Sequence, residues 1–274
     1  MTRVPRSALK TTLRHTTAVA GRVASWMSRR DDDAPRVLCY HGVCEQPPDE
    51  WSVTPAQLRE QVQLVLRDRV PVTVERLVAW LRGEAAIVAR AVAITFDDGF
   101  VDLLAHAAPV LAEAGVPATA FVAPGLLSRE AADASYVPSR PIMDWSQTAE
   151  LAAMPGWTIG SHSLTHPQLA TLDAAQARRQ IRDSKAVLED RLGRPVTLLA
   201  YPYGTAHTVS TRDQHLAAEA GYEAAFMDMT GPLSTSCDLM ALPRTKVLGT
   251  DRRLVVEASL DGAMDLWSLV ERRH

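Results

Sequence analysis

From Pro35 to Val247 the chain alternates short apolar runs with helical patterns, and no other feature constrains its fold as much. The runs are 36–40, 91–96, 118–122, 157–160, 196–200, 224–227 and 242–247. Each has strand length, and continuous apolar character suits strands covered on both faces of a parallel sheet. The helical patterns between them have readable ends. Thr54, Pro55 and Gln57 make a capping box with proline in the first turn, and Leu58, Val62, Val65 and Leu66 share one face. Residues 101–114 read as a helix stopped by Gly115, and residues 173–192 as one ended by Gly193, with Pro195 beyond. Alternating strands and helices imply an α/β fold, a mostly parallel sheet covered by helices. Seven strand candidates favour a closed barrel over an open sheet, and in either case ligands sit at the carboxyl ends of the strands.

Composition narrows the class. The 274 residues are 47% hydrophobic and 22% charged, enough to bury a full core, which excludes disorder, collagen and coiled coil. The net charge of -3 argues against nucleic acid as a partner. The cysteines Cys39, Cys44 and Cys237 are odd in number and form no CxxC pair. They fit reduced thiols in a cytoplasm, with one extracellular bridge left open.

Residues 1–30 carry Arg3, Arg6, Lys10, Arg14, Arg22, Arg29 and Arg30 with no acid, and Asp31, Asp32 and Asp33 follow. Residues 1–33 therefore read as a basic N-terminal extension on a barrel domain at 34–274. No run suits a secretory signal or a membrane span. Two readings stand for this stretch: a solvated basic helix or frayed terminus, or an amphipathic contact with anionic lipid or a partner. The expected location is cytoplasmic, with peripheral membrane contact under the second reading.

Three strand ends carry chemistry. Asp97 and Asp98 follow the strand at 91–96, where Asp-Asp-Gly alone would be an ordinary turn. His162 and His166 follow the strand at 157–160, and Pro167 disfavours a helix there. Two histidines and one carboxylate form a three-ligand metal site with an open position, a catalytic rather than structural pattern. The other carboxylate is then a general base. The third end reads Ala200-Tyr201-Pro202-Tyr203-Gly204, where the Tyr203 amide could face the site as an oxyanion donor.

Together these segments resemble the polysaccharide deacetylases, carbohydrate esterase family 4. The matching pieces are Thr95-Phe96-Asp97-Asp98-Gly99, His162-Ser163-Leu164-Thr165-His166-Pro167 and Tyr201-Pro202-Tyr203-Gly204, in order. Tyr40-His41-Gly42-Val43 and Pro243-Arg244 look like the subgroup acting on poly-N-acetylglucosamine and related exopolysaccharides. The resemblance implies a single-domain, irregular (β/α) barrel of about seven parallel strands. It implies that Asp98, His162 and His166 hold a divalent metal, usually zinc, that Asp97 is the base and that the Tyr203 amide is the oxyanion donor.

Two departures stand out. Many members carry arginine where this chain has Ala200, and many place a late histidine as general acid, whereas no histidine lies between His215 and His274. Arg244 could replace the missing arginine by holding Asp97, the alternative being a surface arginine. His41, His207 or water could supply the proton. Tyr201 and Pro202 are substrate-wall candidates. Trp145, next to the 135–144 loop, either stacks on a sugar face or belongs to the core, and Trp157 is a core candidate. The expected function is metal-dependent removal of acetyl from N-acetylated hexosamines of a polysaccharide, oligosaccharide or glycolipid. The alternatives are an O-acetyl esterase, a small-amide amidase, or an inactive glycan-binding barrel. Cobalt, nickel and manganese remain open beside zinc.

Overall fold

Seven parallel strands organise the computed structural model, which describes residues 6–28, 33–127 and 140–271. They are β1 (Arg36–Tyr40), β2 (Ala91–Phe96), β3 (Ala118–Val122), β4 (Trp157–Ser161), β5 (Leu198–Ala200), β6 (Ala224–Phe226) and β7 (Thr245–Lys246). The sheet order is β7-β1-β2-β3-β4-β5-β6. Phe226 also makes a parallel bridge to Leu242, just ahead of β7, so the same short stretch touches both ends of the sheet and curls it into a half-barrel. The extra strand Val70–Pro71 pairs with the start of β2. The fold is the α/β barrel-like class expected.

The expected strand at 242–247 is shorter than its apolar pattern. Only Thr245 and Lys246 join the ladder beside β1, because Pro243 has no N–H to give and interrupts the pairing. Arg244 therefore lies at the start of β7. The strand expected at 196–200 likewise begins only at Leu198.

Period-two alternation divides the buried side chains between two faces. Val37, Ala93, Phe121, Leu198, Ala200 and Phe226 cluster together inside the curl. Leu38, Tyr40, Val92, Ile94 and Phe96 face the surrounding helices. The helices are α1 (Arg6–Ser28), α2 (Pro55–Asp68), α3 (Val74–Leu81), α4 (Ala108–Ala114), α5 (Trp145–Ala153), α6 (Ala174–Leu192), α7 (Thr211–Glu219) and α8 (Arg253–Leu260), of which α3 instead packs with the inner cluster through Val74, Leu77 and Val78. The Thr54–Gln57 capping box starts α2 as read, but Leu66 is exposed while Leu58, Val62 and Val65 are buried. At about 100° per residue, Leu66 lies at the margin of that stripe. Residues 101–114 are not one regular helix. Leu103–Ala107 forms a wider π turn ahead of α4, which relieves the clash of the Pro109 ring with the carbonyl four residues back.

The register places the site. Tyr40 pairs with Phe96, so His41 and Asp97 leave the sheet side by side. Val122 pairs with Ser161, which delivers His162 at the same rim, and Ala200 pairs with Phe226.

Helix α1 lies against α8. Arg14 is fully buried and donates from Nε and Nη2 to Asp251 at 2.9 and 2.6 Å, with its guanidinium 5.5 Å above the Trp267 ring. Ala18 joins Val255, Ala258, Ala263, Met264 and Trp267 in a small core. Gly21 is required there, since a Cβ would overlap the Ala263 carbonyl. Arg22 pairs with Glu257 at 2.7 Å. The solvated basic reading is thus corrected for Arg14, which is buried against Asp251, whereas Arg22 pairs with Glu257 and keeps a side chain 39% exposed. Arg3, Arg29 and Arg30 lie outside the described residues. Among the described residues no helix is long and apolar enough to cross a membrane. All three cysteines are free thiols.

Candidate active site

Asp98, His162 and His166 bring their donor atoms within 4.8 Å of one another, and all three are buried. His162 Nδ1 lies 2.7 Å from the Ala200 carbonyl. A carbonyl only accepts, so Nδ1 carries the proton and Nε2 keeps its lone pair, the state a metal ligand needs. That Nε2 lies 3.6 Å from Asp98 Oδ1, and His166 Nε2 lies 3.3 Å from the same oxygen. Ligand atoms around a tetrahedral zinc are about 3.3 Å apart, so the three fit one ion of that size. Burial lowers the pKa of His162, with Asp97 opposing, and so favours the neutral ring. Burial would raise the Asp98 carboxyl, but the hydrogen bond with His166 and the nearby His41 and His162 hold it below the usual range.

The backbone is bent to achieve this. Asp98, Ser163, His166 and Tyr203 adopt φ of 70°, 61°, 60° and 62°, in the left-handed region that side chains disfavour. Among the described non-glycine residues only Arg90 shares that conformation. Strain concentrated at one rim marks a functional turn cluster. Around Pro167 the turn is held by the His166 N–H donating to Ser163 Oγ and the Thr165 N–H to Gln180 of α6. Gly204 allows the Tyr203 turn to press on Asp228, where any Cβ would strike backbone.

Asp97 is gripped by Arg244. Nη1 donates to Oδ1 and Nη2 to Oδ2, both at 2.7 Å, and both residues are buried. Nη2 also donates to Asp228 Oδ1 at 2.9 Å, Nη1 to Thr95 Oγ1 at 3.3 Å and Nε to the Met227 carbonyl at 3.2 Å. Five guanidinium hydrogens thus meet five acceptors. The group also lies 5.4 Å from the Phe121 ring and 6.0 Å from that of Phe226, inside the curl. Arg244 is therefore not a surface arginine. Burial pushes the Asp97 carboxyl up, but Arg244, then His162, outweigh it and hold it well below the usual carboxylate range.

A cleft of about 990 Å³ opens over these groups, and His41, Trp51, Asp97, Asp98, His162, His166 and Tyr203 line it. His41 is half-buried, its ring 5.4 Å from that of Trp51. The Tyr203 ring lies 5.0 Å from that of His166. Three expected residues are elsewhere. Tyr201 is buried and its hydroxyl donates to the Met240 carbonyl at 2.9 Å, so it supports the wall rather than meeting substrate. Pro202 is buried beneath the turn and does not line the cleft. Trp145 opens α5, packs on the core and takes the Arg191 guanidinium over its ring at 5.4 Å, so the sugar-stacking expectation is corrected to the core one. Part of the loop before it, 135–139, lies outside the described residues. His207 is exposed and outside the cleft lining, and Trp157 packs at a tilt against Phe96 in the core.

Asp228 was missed. It lies two residues past the end of β6, beyond Met227, with no recognisable motif around it. Cys39, His41, Asp97 and Asp228 form a second cluster of metal-type donors. The Arg244 guanidinium already bridges its two carboxylates, so the cation there is the protein's own. Cys39 Sγ lies 3.6 Å from Asp97 Oδ2, and burial pushes its thiol up, keeping it neutral.

Comparison with known proteins places this geometry. The chain is 26% identical over 158 residues to YxkH of Bacillus subtilis (strain 168), a polysaccharide deacetylase by name, covering 58% of this chain and 52% of that one. It is 29% identical over 126 residues to a protein of Pestalotiopsis sp named chitin deacetylase, covering 46% of this chain and 38% of that one. The chain thus spans about half the length, or less, of these curated relatives. The structure of IcaB from Ammonifex degensii shares the fold with a TM-score of 0.71 at 21% identity, over 84% of this chain and 98% of that one. The family model for polysaccharide deacetylase matches residues 87–225, just over half the chain and the stretch that carries Asp97, Asp98, His162, His166 and Tyr203, and the chain belongs to that family.

Proposed function

We propose that this chain is a metal-dependent hydrolase that removes acetyl groups from N-acetylated hexosamines of a glycan. The observation that carries the reading is the pairing of two sets: two histidine nitrogens gathered on one oxygen of Asp98, and an arginine-held carboxylate beside them. Membership of the family and a relative named as a chitin deacetylase support it.

Asp98, His162 and His166 would hold the divalent ion, zinc first, which when bound acidifies a water and polarises a carbonyl. Asp97, kept ionised by Arg244, accepts the proton from the attacking water. Its orientation is fixed because both oxygens are held by one planar fork. The Tyr203 N–H, in the strained turn at the cleft, donates to the oxygen that gains charge. His41, which leaves β1 beside Asp97, or water protonates the departing amine. Breakage of the C–N bond then yields acetate and the free amino sugar.

The test is mass spectrometry of N-acetylglucosamine oligomers incubated with metal-loaded protein. Loss of one C2H2O unit per acetyl is the expected result. Loss only from O-acetylated sugars would establish the esterase alternative. Metal uptake without turnover on any acetylated sugar would establish the inactive glycan-binding barrel.

A further inference from the structure

We propose that the cleft has a second arm, built by the two ends of the chain, that holds the hydrocarbon aglycone of a lipid-linked N-acetylated sugar. The inference rests on the deacetylase reading and names the substrate class of the same site.

Size is the first ground. At about 990 Å³ the cleft stands at the top of the range that accommodates a drug-sized ligand, and one acetamido sugar leaves most of it unfilled. The second ground is chemistry. Asp97, Asp98, His162 and His166 converge at the rims of β2 and β4. At the β7 end Leu13 of α1, Leu248 after β7, and Trp267 and Val270 near the end of the described residues line the cleft beside Arg14, Lys246 and Glu271, whose polar atoms are taken up within the protein by Asp251, the Asp228 carbonyl and the Thr230 N–H. With those charges satisfied inside the protein, the apolar side chains offer nothing to sugar hydroxyls, whereas burial of methylenes against them is favourable in proportion to the area covered.

The third ground is the way α1 is fixed. Lys10 lies 5.0 Å over the Trp51 ring and 3.6 Å from Glu50, and Arg14 is locked into Asp251. These contacts stitch α1 to the rim, so Leu13 is a wall of the cleft and yet 43% exposed. From Leu13 the exposed face of α1 continues through Thr16, Val19, Ala20 and Val23, without one charged residue. A solvated helix face is ordinarily charged. This one extends the apolar arm out of the cleft and along the surface, the path a chain longer than the arm would follow.

The test uses glycosides of N-acetylglucosamine with methyl, butyl and octyl aglycones, below their micelle concentrations, on metal-loaded full-length protein. Acetate release should show KM falling by about tenfold or more from methyl to octyl, as burial of several methylenes requires. Leu13→Asp should flatten the series. Val19→Asp, on the same face but outside the cleft, should keep it. Intrinsic tryptophan fluorescence should report tighter binding of the octyl than of the methyl glycoside, a readout independent of turnover. A flat series with normal turnover of the methyl glycoside would overturn the hydrocarbon arm and leave the deacetylase reading intact. Absence of acetate from every glycoside would defeat the deacetylase reading instead, and equal binding of methyl and octyl would then defeat the arm as well. A slope that survives Leu13→Asp would also overturn it. So would a dimer in sedimentation that Leu13→Asp dissolves, which would assign this face to a second copy of the chain.

Discussion

Arg244 occupies an unusual position for so large a cation: fully buried, ringed by acceptors and set between two aromatic rings. Its contact with Asp97 determines the acid behaviour of the site. Burial alone would raise the Asp97 carboxyl, and the guanidinium reverses that sign. Arg244→Ala removes the lowering influence and leaves the raising one, so the acidic limb of the pH–rate profile should move to higher pH while turnover falls. Arg244→Lys should recover only part of the loss, since a point charge cannot serve both oxygens and Asp228 together. An unmoved acidic limb in Arg244→Ala would dissociate the arginine from the base. Asp97→Asn keeps the shape of the carboxylate without its basicity. Its turnover should drop by roughly 10²–10⁴, with metal content unchanged by elemental analysis. His162→Ala should instead lose metal and activity together.

At the scale of elements, α1 is the piece whose role differs most from its composition. A run of basic residues ahead of the first strand suggests a detachable tail, yet Arg14 and Asp251 form a bidentate pair with side chains 1% and 2% exposed. Breaking a buried pair from one side strands the other charge, at a cost of about 3–5 kcal/mol. Arg14→Ala should therefore destabilise the protein by that order in urea unfolding. Removal of residues 1–33 should do at least as much, since it also uncovers Trp267 and Met264. Unchanged stability of either variant would mean that α1 rests loosely on α8.

For the whole molecule, the donors proposed for the metal come from two loops that meet only in the folded state, so on that proposal metal affinity and folding are linked. Zinc at about a hundred times its dissociation constant should stabilise the fold by about 2.7 kcal/mol, read as a rise in melting temperature that a chelator reverses. The gain should shrink as pH falls through the histidine range, because protonated imidazole cannot ligate. Asp97 and Asp98 act in the same direction at lower pH. Their folded pKa values are depressed, so their stabilisation is present above the unfolded value of about 3.9 and is lost as pH falls through the folded ones. Local rules were enough for only part of the fold and site. The strand–helix alternation, the Thr54 cap and the Asp-Asp and His-x-x-x-His strand ends are short-range patterns, and strand ends are where a parallel barrel places ligands. Tertiary structure decided what depends on contacts between distant segments. Arg244 reaches Asp97 across 147 positions of sequence and Arg14 reaches Asp251 across 237. Tyr201 and Trp145 turn to the core although their motifs and neighbours suggested the cleft, and Asp228 enters the site with no motif to announce it. A side chain's orientation at a strand end is set by which strand it pairs with and how the sheet curls, and neither is encoded within a window of neighbouring residues.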